Sequence, residues 1–401
     1  MRVCLIIPPS PFLLDERVFV QLGILKIASV LEQHDYTVDM IDLSGVENYT
    51  DVLTDYAKRK DRADIFGVTA TTPQVPYAVK ISQHLKALLP GKQSKVILGG
   101  PHVTLMHTAA KREAKKNLVG SDRATKDIEA LKNFFDVLVC GDGEIAIFDA
   151  IHEDVKVIDA DIAKSKYFLS HKQFTELPPP ARHLVDMSSY KYFIEGEPAL
   201  SLIAQLGCPF HCTFCSGRNS PFLRKIRLRD IDAVVDEVEM LYLTYGVKGF
   251  MFYDDELNVN KNMVPMMNKL CDLQDKHGVD FMLRGFVKAE LFNDEQADAM
   301  YRAGFRWLLT GFESGDPTIL SNIKKIAKRE DNTRCVEIAK RHNLKVKALM
   351  SIGHAGESAQ TVENTKNWLL QVEPEDFDCT IITTYPGSPY FDDAVKEGDY
   401  Y

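Results

Sequence analysis

The sequence predicts an α/β protein in two parts. Residues 1–151 read as a Rossmann-like (flavodoxin-like) doubly wound parallel sheet, 152–199 as a connecting arm, and 200–401 as a partial (βα)6 TIM-type barrel. Three observations carry this. A chain of 401 residues exceeds what one hydrophobic core usually serves. In both halves, short apolar β-rich runs alternate with stretches of helical periodicity, the pattern of parallel strands joined by helical crossovers. Between the halves, Leu177-Pro-Pro-Pro-Ala-Arg182 can continue neither a helix nor a central strand.

The bulk numbers set limits. Apolar residues make up 45% and charged residues 26%, as in ordinary globular proteins. A formal charge of −9 argues against a general nucleic-acid binder. No stretch reaches the roughly 20 apolar residues of a membrane span, and the N-terminal apolar run is too short for a secretory signal. Eight cysteines, three of them clustered, make no disulfide framework.

In the first part, Val3–Ile7 reads as a strand and Val18–Gln33 as a helix with Leu22, Leu25, Ala28 and Leu31 on one face. Thr37–Leu43 and Asp64–Val68 are the next strands, Pro76–Leu89 a helix, Lys95–Leu98 and Asp136–Val139 further strands, and Gly143–Ile151 the closing helix. Ligands of such sheets sit beyond the carboxyl ends of the strands. Those ends lead into Pro8-Pro9-Ser10, Thr69-Ala-Thr71-Thr72, Gly99-Gly100-Pro-His102 and Cys140-Gly141-Asp-Gly143-Glu144. The paired glycines are expected to let backbone approach a ligand. No Gly-x-Gly-x-x-Gly follows the first strand, which argues against a dinucleotide site. Residues 106–133 carry Lys111, Arg112, Lys115, Lys116, Arg123, Lys126 and Lys132 against four acids and read as a solvated surface insertion. Cys4 and Cys140 read as small buried hydrophobes, and the arm carries no evident chemistry.

In the second part the strands are Leu202–Leu206, Gly249–Tyr253, Asp280–Leu283, Trp307–Thr310, Lys345–Ile352 and Asp378–Thr383. Helices begin near Asp230, Asn260, Asp294, Asp331 and Ser358. Right-handed crossovers place all strand carboxyl ends on one rim, where barrel enzymes keep their chemistry. The polar residues fall there: Tyr253-Asp254-Asp255-Glu256, Arg284-Gly285, Gly311-Phe-Glu313-Ser314-Gly315, His354-Ala-Gly-Glu357 and Thr384-Tyr-Pro-Gly-Ser-Pro389. Cys271, Cys335 and Cys379 read as structural. The alternative role for each rim acid is a helix N-cap.

The first strand of this part leads into Gly207-Cys208-Pro-Phe-His-Cys212-Thr-Phe214-Cys215-Ser-Gly-Arg218. Four thiolates would close a zinc site or fill every iron of a cubane; three leave one iron open for chemistry. A zinc knuckle using His211, or simply buried thiols, are the alternatives, and no fourth cysteine follows at ribbon spacing.

The Cys-x-x-x-Cys-x-x-Cys spacing, with an aromatic one place before the last Cys, resembles the radical S-adenosylmethionine (SAM) enzymes, and the second part resembles their core over its full length. The first part, with its Pro-Pro opening, Gln21-Leu-Gly-Ile-Leu, Gly-Gly-x-His turn and Gly-Asp-Gly-Glu turn, resembles the cobalamin-binding domain that precedes many such cores. The resemblance implies a 4Fe–4S cluster on Cys208, Cys212 and Cys215, with SAM on the fourth iron. By position it implies SAM contacts from Phe214, Asp254, Asp255, Glu256, Arg284, Glu313 and Ser314. For cobalamin it implies Pro9, Thr69, Thr71, Thr72, Gly99, Gly100, His102, Gly141, Gly143 and Glu144. The Asp-x-His-x-x-Gly signature that supplies a cobalt-ligating histidine is absent, as in many cobalamin-binding members of the superfamily; His102 is the substitute to weigh.

The activity implied is a cobalamin-dependent methyltransferase. SAM would be cleaved to a 5′-deoxyadenosyl radical that takes hydrogen from an unactivated carbon, and methylcobalamin would donate the methyl group, a second SAM remethylating the cobalt. The alternatives are a radical SAM cyclase or rrearrangement enzyme, a radical SAM enzyme whose first domain binds something else, and a non-enzymatic iron–sulfur or zinc protein. Partners would be a small-molecule substrate and a one-electron reductant such as flavodoxin or ferredoxin, in a reducing cytoplasm. Many relatives append a domain after the sixth strand of the core, whereas this sequence stops at Asp399-Tyr-Tyr401.

Overall fold

The computed structural model describes residues 1–90, 94–116 and 122–397. Part of the basic segment, 117–121, and the terminal Asp399-Tyr-Tyr401 lie outside the described residues. The chain divides into two units. The first is Met1–Lys191 with Asn219–Phe222 and the segment from Pro386; the second is Tyr192–Arg218 with Leu223–Tyr385.

In the first unit, β1 (Arg2–Ile7), β2 (Thr37–Asp42), β3 (Ile65–Thr69), β4 (Lys95–Gly99), β5 (Val137–Gly141) and β6 (Val157–Ala160) form a parallel sheet ordered β2-β1-β3-β4-β5-β6. The crossovers are α1 (Leu22–Gln33), α2 (Tyr49–Ala57), α3 (Val75–Leu88), α4 (Pro101–Lys116) with α5 (Arg123–Phe134), and α6 (Gly143–His152). Two apolar clusters cover the sheet. One gathers Ile6, Phe66, Leu98 and Leu138 with α2, α3 and α5; the other gathers Leu5, Ile97 and Val139 with α1 and α6. Helices on both faces explain why the strands read as continuous apolar runs.

Two expectations change here. The basic segment is a helical crossover, because Val103, Ala109, Ile128 and Leu131 are buried. Two of its charges are turned to internal pairs: Lys111 Nζ lies 2.7 Å from Asp159, and Arg112 binds Asp392 and the Gly387 carbonyl, whereas Lys115, Arg123 and Lys126 are exposed as a solvated face would have them. The arm contributes β6, four residues long and broken by Asp159 and so too short to show as an apolar run, and α7 (His171–Glu176), capped by Ser170. The Pro-rich stretch lies along α1, with Lys26 Nζ donating to the Pro178 carbonyl (3.0 Å).

In the second unit, β7 (Phe193–Ile194) and β8 (Glu197–Leu202) form a hairpin, and β9 (Gln205–Leu206) pairs antiparallel with β10 (Arg227–Leu228). β8 continues through β11 (Gly249–Phe252), β12 (Met282–Phe286), β13 (Phe305–Glu313), β14 (Lys345–Ile352) and β15 (Asp376–Ile381) as parallel neighbours. The connecting helices are α9 (Ile231–Tyr245), α10 (Met263–His277), α11 (Asp294–Arg302), α12 (Pro317–Asn322), α13 (Arg329–Arg341) and α14 (Ala359–Val372); the short α8 (Pro221–Arg224) begins in residues of the first unit, to which α15 (Pro389–Glu397) also belongs. Asp230, Asn293, Asp316 and Ser358 cap α9, α11, α12 and α14. Phe250, Phe252, Leu283, Leu308, Val346 and Ala348 are buried on one face of the sheet. This is the open (βα)6 half-barrel the sequence predicts, with one added antiparallel strand, β7. The expected first strand, Leu202–Leu206, breaks at Ile203–Ala204, where the backbone leaves β8 for β9. Among the described residues, no helix is long and apolar enough to cross a membrane.

Candidate active site

The cysteine loop leaves β9 through Gly207, whose φ of +93° suits glycine and whose Cβ would strike the Lys225 carbonyl. Backbone bonds fix the loop: Cys208 N donates to Leu223 O (2.9 Å), Thr213 N to Ile323 O (3.0 Å) and Cys215 N to Cys212 O (3.3 Å). Cys208 and Cys212 are half-buried and Cys215 is exposed, all as free thiols. Burial pushes the Cys208 thiol up to about 11, partly offset by a hydrogen bond from the Phe210 amide. Although the residue as a whole is exposed, desolvation of its sulfur likewise raises Cys215, against hydrogen bonds from the Gly217 and Arg218 amides. Amides aimed at sulfur favour thiolate, the form that binds metal.

Among the described residues, no three His, Cys, Asp or Glu side chains converge on a point that would hold one ion. A cubane takes its three thiolates on three different irons, a wider donor set than a zinc centre needs, so a single cysteine-rich loop of this kind fits it. His211 is unsuited to zinc here. Its Nδ1 and Nε2 lie 2.8 and 3.1 Å from the Arg224 guanidinium, whose charge also lowers its pKa.

The acidic rim divides into two roles. Asp254 is 1% exposed, and its carboxylate accepts the amides of Ala204 (3.0 Å) and Gln205. Asp255 accepts the Gly207 amide at 2.8 Å. Both hold the approach to the cysteine loop. Glu256 instead lies near Cys208, Lys288 and Lys325, and burial pushes its carboxyl up to about 7 against the pull of the two lysines. Lys288 is 3% exposed, with Nζ 4.2 Å from the Phe210 ring centroid and 3.2 Å from Glu290. Buried Lys325 lies 3.1 Å from Glu313; burial lowers its pKa, but the charges of Glu313, Cys212 and Glu256 outweigh that and leave it raised.

Glu313 adopts φ +65°, a strained conformation for a residue with a side chain, and its second oxygen accepts Ser351 Oγ (2.9 Å). Ser351 Oγ also lies 2.7 Å from His354 Nε2, and His354 packs against Phe214, ring centroids 5.6 Å apart. Phe214, Asp255, Glu256 and Glu313 are thus brought around the cysteine loop. Ser314 is not available to a ligand: it is 1% exposed and bonds Thr365 Oγ1 (2.9 Å) and the Asp316 amide. Arg284 is set apart, in register with Trp307, six residues before Glu313 on β13. Sequence reading missed Lys288 and Lys325 because neither sits in a local motif, and Lys324-Lys325-Ile-Ala-Lys328 reads as solvated surface.

In the first unit the expected cobalamin residues do gather at the carboxyl ends of β1, β3, β4 and β5. Several have other partners. Gly100 (φ +103°) is required because a Cβ would meet Thr69 Oγ1 at 2.7 Å and Ala70 N at 2.8 Å; Gly141 (φ +88°) would meet Asp161 N at 2.5 Å. These glycines admit neighbouring backbone. The Cβ of Gly143 would meet Ile27 Cδ1 at 2.8 Å, a helix-packing contact, whereas Gly99 has only an ordinary neighbour, Val139 O, at 3.9 Å. Thr71 closes a capping box with Gln74, whose amide donates to the Pro8 carbonyl (2.9 Å) beside Pro9. His102 is 5% exposed, with Nδ1 3.1 Å from Thr72 Oγ1 and Nε2 2.9 Å from Asp127. Both nitrogens are engaged, so it is not arranged as a cobalt ligand. Thr104, which sequence reading missed, ties the β4 and β5 turns together by accepting the Gly141 amide (2.9 Å) and donating to Gly100 O (3.0 Å). Beyond β1, Phe12 (79%), Leu13 (51%) and Leu14 (110%) expose an apolar loop at this edge, which fits a large flat macrocycle better than a small polar ligand.

Comparison with known proteins agrees. Residues 202–369 match the Radical SAM superfamily and residues 16–127 the B12 binding domain. The chain carries a radical SAM domain and a B12-binding domain. It is 27% identical over 422 aligned positions to an uncharacterized methyltransferase of Pyrococcus horikoshii, covering 98% of this chain and 83% of that one. It is 25% identical to the anaerobic magnesium-protoporphyrin IX monomethyl ester cyclase of Rubrivivax gelatinosus, covering 91% of this chain but only 64% of the cyclase. Among solved structures, the radical SAM methyltransferase TsrM from Kitasatospora setae, with cobalamin and a [4Fe-4S] cluster bound, aligns with a TM-score of 0.74 over 99% of this chain and 75% of its own, at 16% identity. At that identity the likeness is one of fold.

Proposed function

We propose that this protein is a cobalamin-dependent radical SAM methyltransferase acting on a small molecule. The observation that carries the proposal is the three-thiol loop set against Glu256, Lys288, Lys325 and Glu313. Bound there, a 4Fe–4S cluster and SAM would supply one-electron bond cleavage, and cobalamin in the first unit would supply the methyl group. Cys208, Cys212 and Cys215 would hold the cluster. Phe210, Gly217 and Arg218 amides would stabilise the sulfurs as thiolates, and Asp254 and Asp255 would fix the loop's entry. Glu256 suits an ammonium group, which would draw its proton off. Lys288 and Lys325 suit a carboxylate, and Phe214 shields the site from water. Thr69, Thr72 and the apolar Phe12–Leu14 loop would face the macrocycle, with no imidazole from His102.

A one-electron donor of the flavodoxin or ferredoxin type and a reducing cytoplasmic setting follow from the chemistry of an oxygen-labile cluster. The test is anaerobic incubation with SAM, cobalamin and reductant. Formation of 5′-deoxyadenosine together with products heavier by one methyl group supports the proposal. 5′-Deoxyadenosine with a substrate converted without gain of a methyl group would favour ring formation, the chemistry named for the Rubrivivax relative. No SAM cleavage at all would refute both.

A further inference from the structure

The face of the second sheet opposite its buried Phe250–Phe252 side carries a second set of groups. One row across it, in register, is Ser201, Met251, Arg284, Trp307 and Lys345; the next includes Phe286, Leu309, Lys347 and Asp376. Tyr253 reaches the Phe286 ring, with centroids 6.1 Å apart, and the Tyr192 hydroxyl lies 3.9 Å from Met251 Sδ. This is a half-buried wall of flat and soft side chains bearing three cations.

Two of the cations are neutralised. Lys345 binds both oxygens of Glu195 (2.9 and 2.8 Å), and Lys347 bridges Asp376 and Asp378 at 2.9 Å each. The third is not. Arg284 has no carboxylate within ion-pair distance among the described residues, and its buried Nε has no hydrogen-bond partner there. Its guanidinium stacks 5.6 Å from the Trp307 ring centroid, and its neighbour Tyr192 contributes only a hydroxyl. Trp307 is itself fixed by Nε1 donating to Glu195 (2.5 Å). A partly desolvated guanidinium is costly unless paired, and its planar fork matches an oxyanion.

We propose that Arg284 and Trp307 form the substrate-recognition site of this protein, taking a molecule with a flat aromatic body and an oxyanion, either carboxylate or phosphoryl. Arg284 grips the oxyanion, Trp307 and Tyr192 flank it, and Met251, Tyr253, Phe286 and Leu309 receive the ring. The assignment rests on the radical SAM reading above, and it moves Arg284 from the SAM carboxylate to the substrate.

The test is equilibrium dialysis of the full chain, anaerobically reconstituted with cluster, cobalamin and SAM, against 2-naphthoate, 2-naphthyl phosphate and neutral 2-naphthalenemethanol. At least one anion should bind better than the alcohol, and which one does identifies the oxyanion. Arg284→Met should weaken that binding roughly 10- to 100-fold, the range of a charge-assisted hydrogen bond, and Arg284→Lys should restore part of it. Phe286→Leu, which removes the ring that Tyr253 packs against, should weaken the preference for 2-naphthoate over cyclohexanecarboxylate. Equal binding of anion and alcohol, no binding of either anion, or undiminished binding by Arg284→Met would overturn the proposal. Failure of the radical SAM reading shows separately, as absence of 5′-deoxyadenosine when the same preparation is reduced.

Discussion

Asp254 offers the most quantitative test of how the site is held. Its carboxylate is the acceptor for two adjacent buried amides, Ala204 and Gln205, at the step where the chain passes from β8 into the cysteine loop. Asp254→Ala leaves both donors without a partner. At about 1–3 kcal/mol for each unsatisfied buried group, the loss should be roughly 2–6 kcal/mol. Both amides donate to the same oxygen, Oδ1, so Asp254→Asn, which keeps one acceptor oxygen for them, should lose much less. A pH signature accompanies this. Burial pushes Asp254 up to about 7 from an ordinary 3.8, outweighing the two amides, which favour the charged form. The folded chain therefore keeps a proton that the unfolded chain releases, so this contribution to stability is full below about pH 4 and is lost as pH rises toward 7. Over that window it amounts to roughly 4 kcal/mol at most. Urea unfolding of the cluster-free protein, followed by Trp307 and Trp368, both in the second unit, should show a slope in the wild type to which Glu256, also pushed up to about 7, contributes as well, and a shallower slope in Asp254→Asn. A destabilisation below about 1 kcal/mol in Asp254→Ala, or an unchanged slope in Asp254→Asn, would refute the reasoning.

Two further predictions concern the first unit. Gly141→Ala places a Cβ 2.5 Å from Asp161 N and 2.6 Å from Ala160 C at a φ of +88°; since backbone cannot yield cheaply, urea unfolding should show a loss of about 2 kcal/mol or more. His102→Gln should lower stability by about 1–3 kcal/mol through Thr72 and Asp127. It should leave the nitrogen hyperfine pattern of bound cob(II)alamin identical to that of the wild type; loss of a splitting in the variant would place this imidazole on cobalt.

Much of the architecture was legible because parallel strands covered on both sides are apolar runs, and Lys345–Ile352 begins and ends where the sequence places it. β6 was not, since Val-Ile-Asp-Ala is only four residues long and interrupted by Asp159, and the crossover α4–α5 was masked by basic residues, two of whose partners lie far along the chain. At the site, spacing made the three-cysteine loop stand out, and its cluster role came from the resemblance to radical SAM enzymes. The rim acids were readable as a group but not by role: Asp254 and Glu256 are two residues apart, yet one is spent on backbone amides and the other lies among lysines. Gly100 and His102 looked like ligand-facing groups because a close backbone approach and a buried imidazole leave the same trace in sequence whichever partner they meet. Arg284 was drawn to SAM by its position after a strand, whereas register sets it beside Trp307.

The most direct measurement of the central claim is low-temperature EPR of the anaerobically reconstituted, reduced protein with and without SAM. The three-thiol loop predicts a [4Fe–4S]⁺ signal whose g-values shift when SAM is added, and the loss of that signal in Cys212→Ala. A protein that holds no such cluster, or one whose signal is indifferent to SAM, would contradict the account.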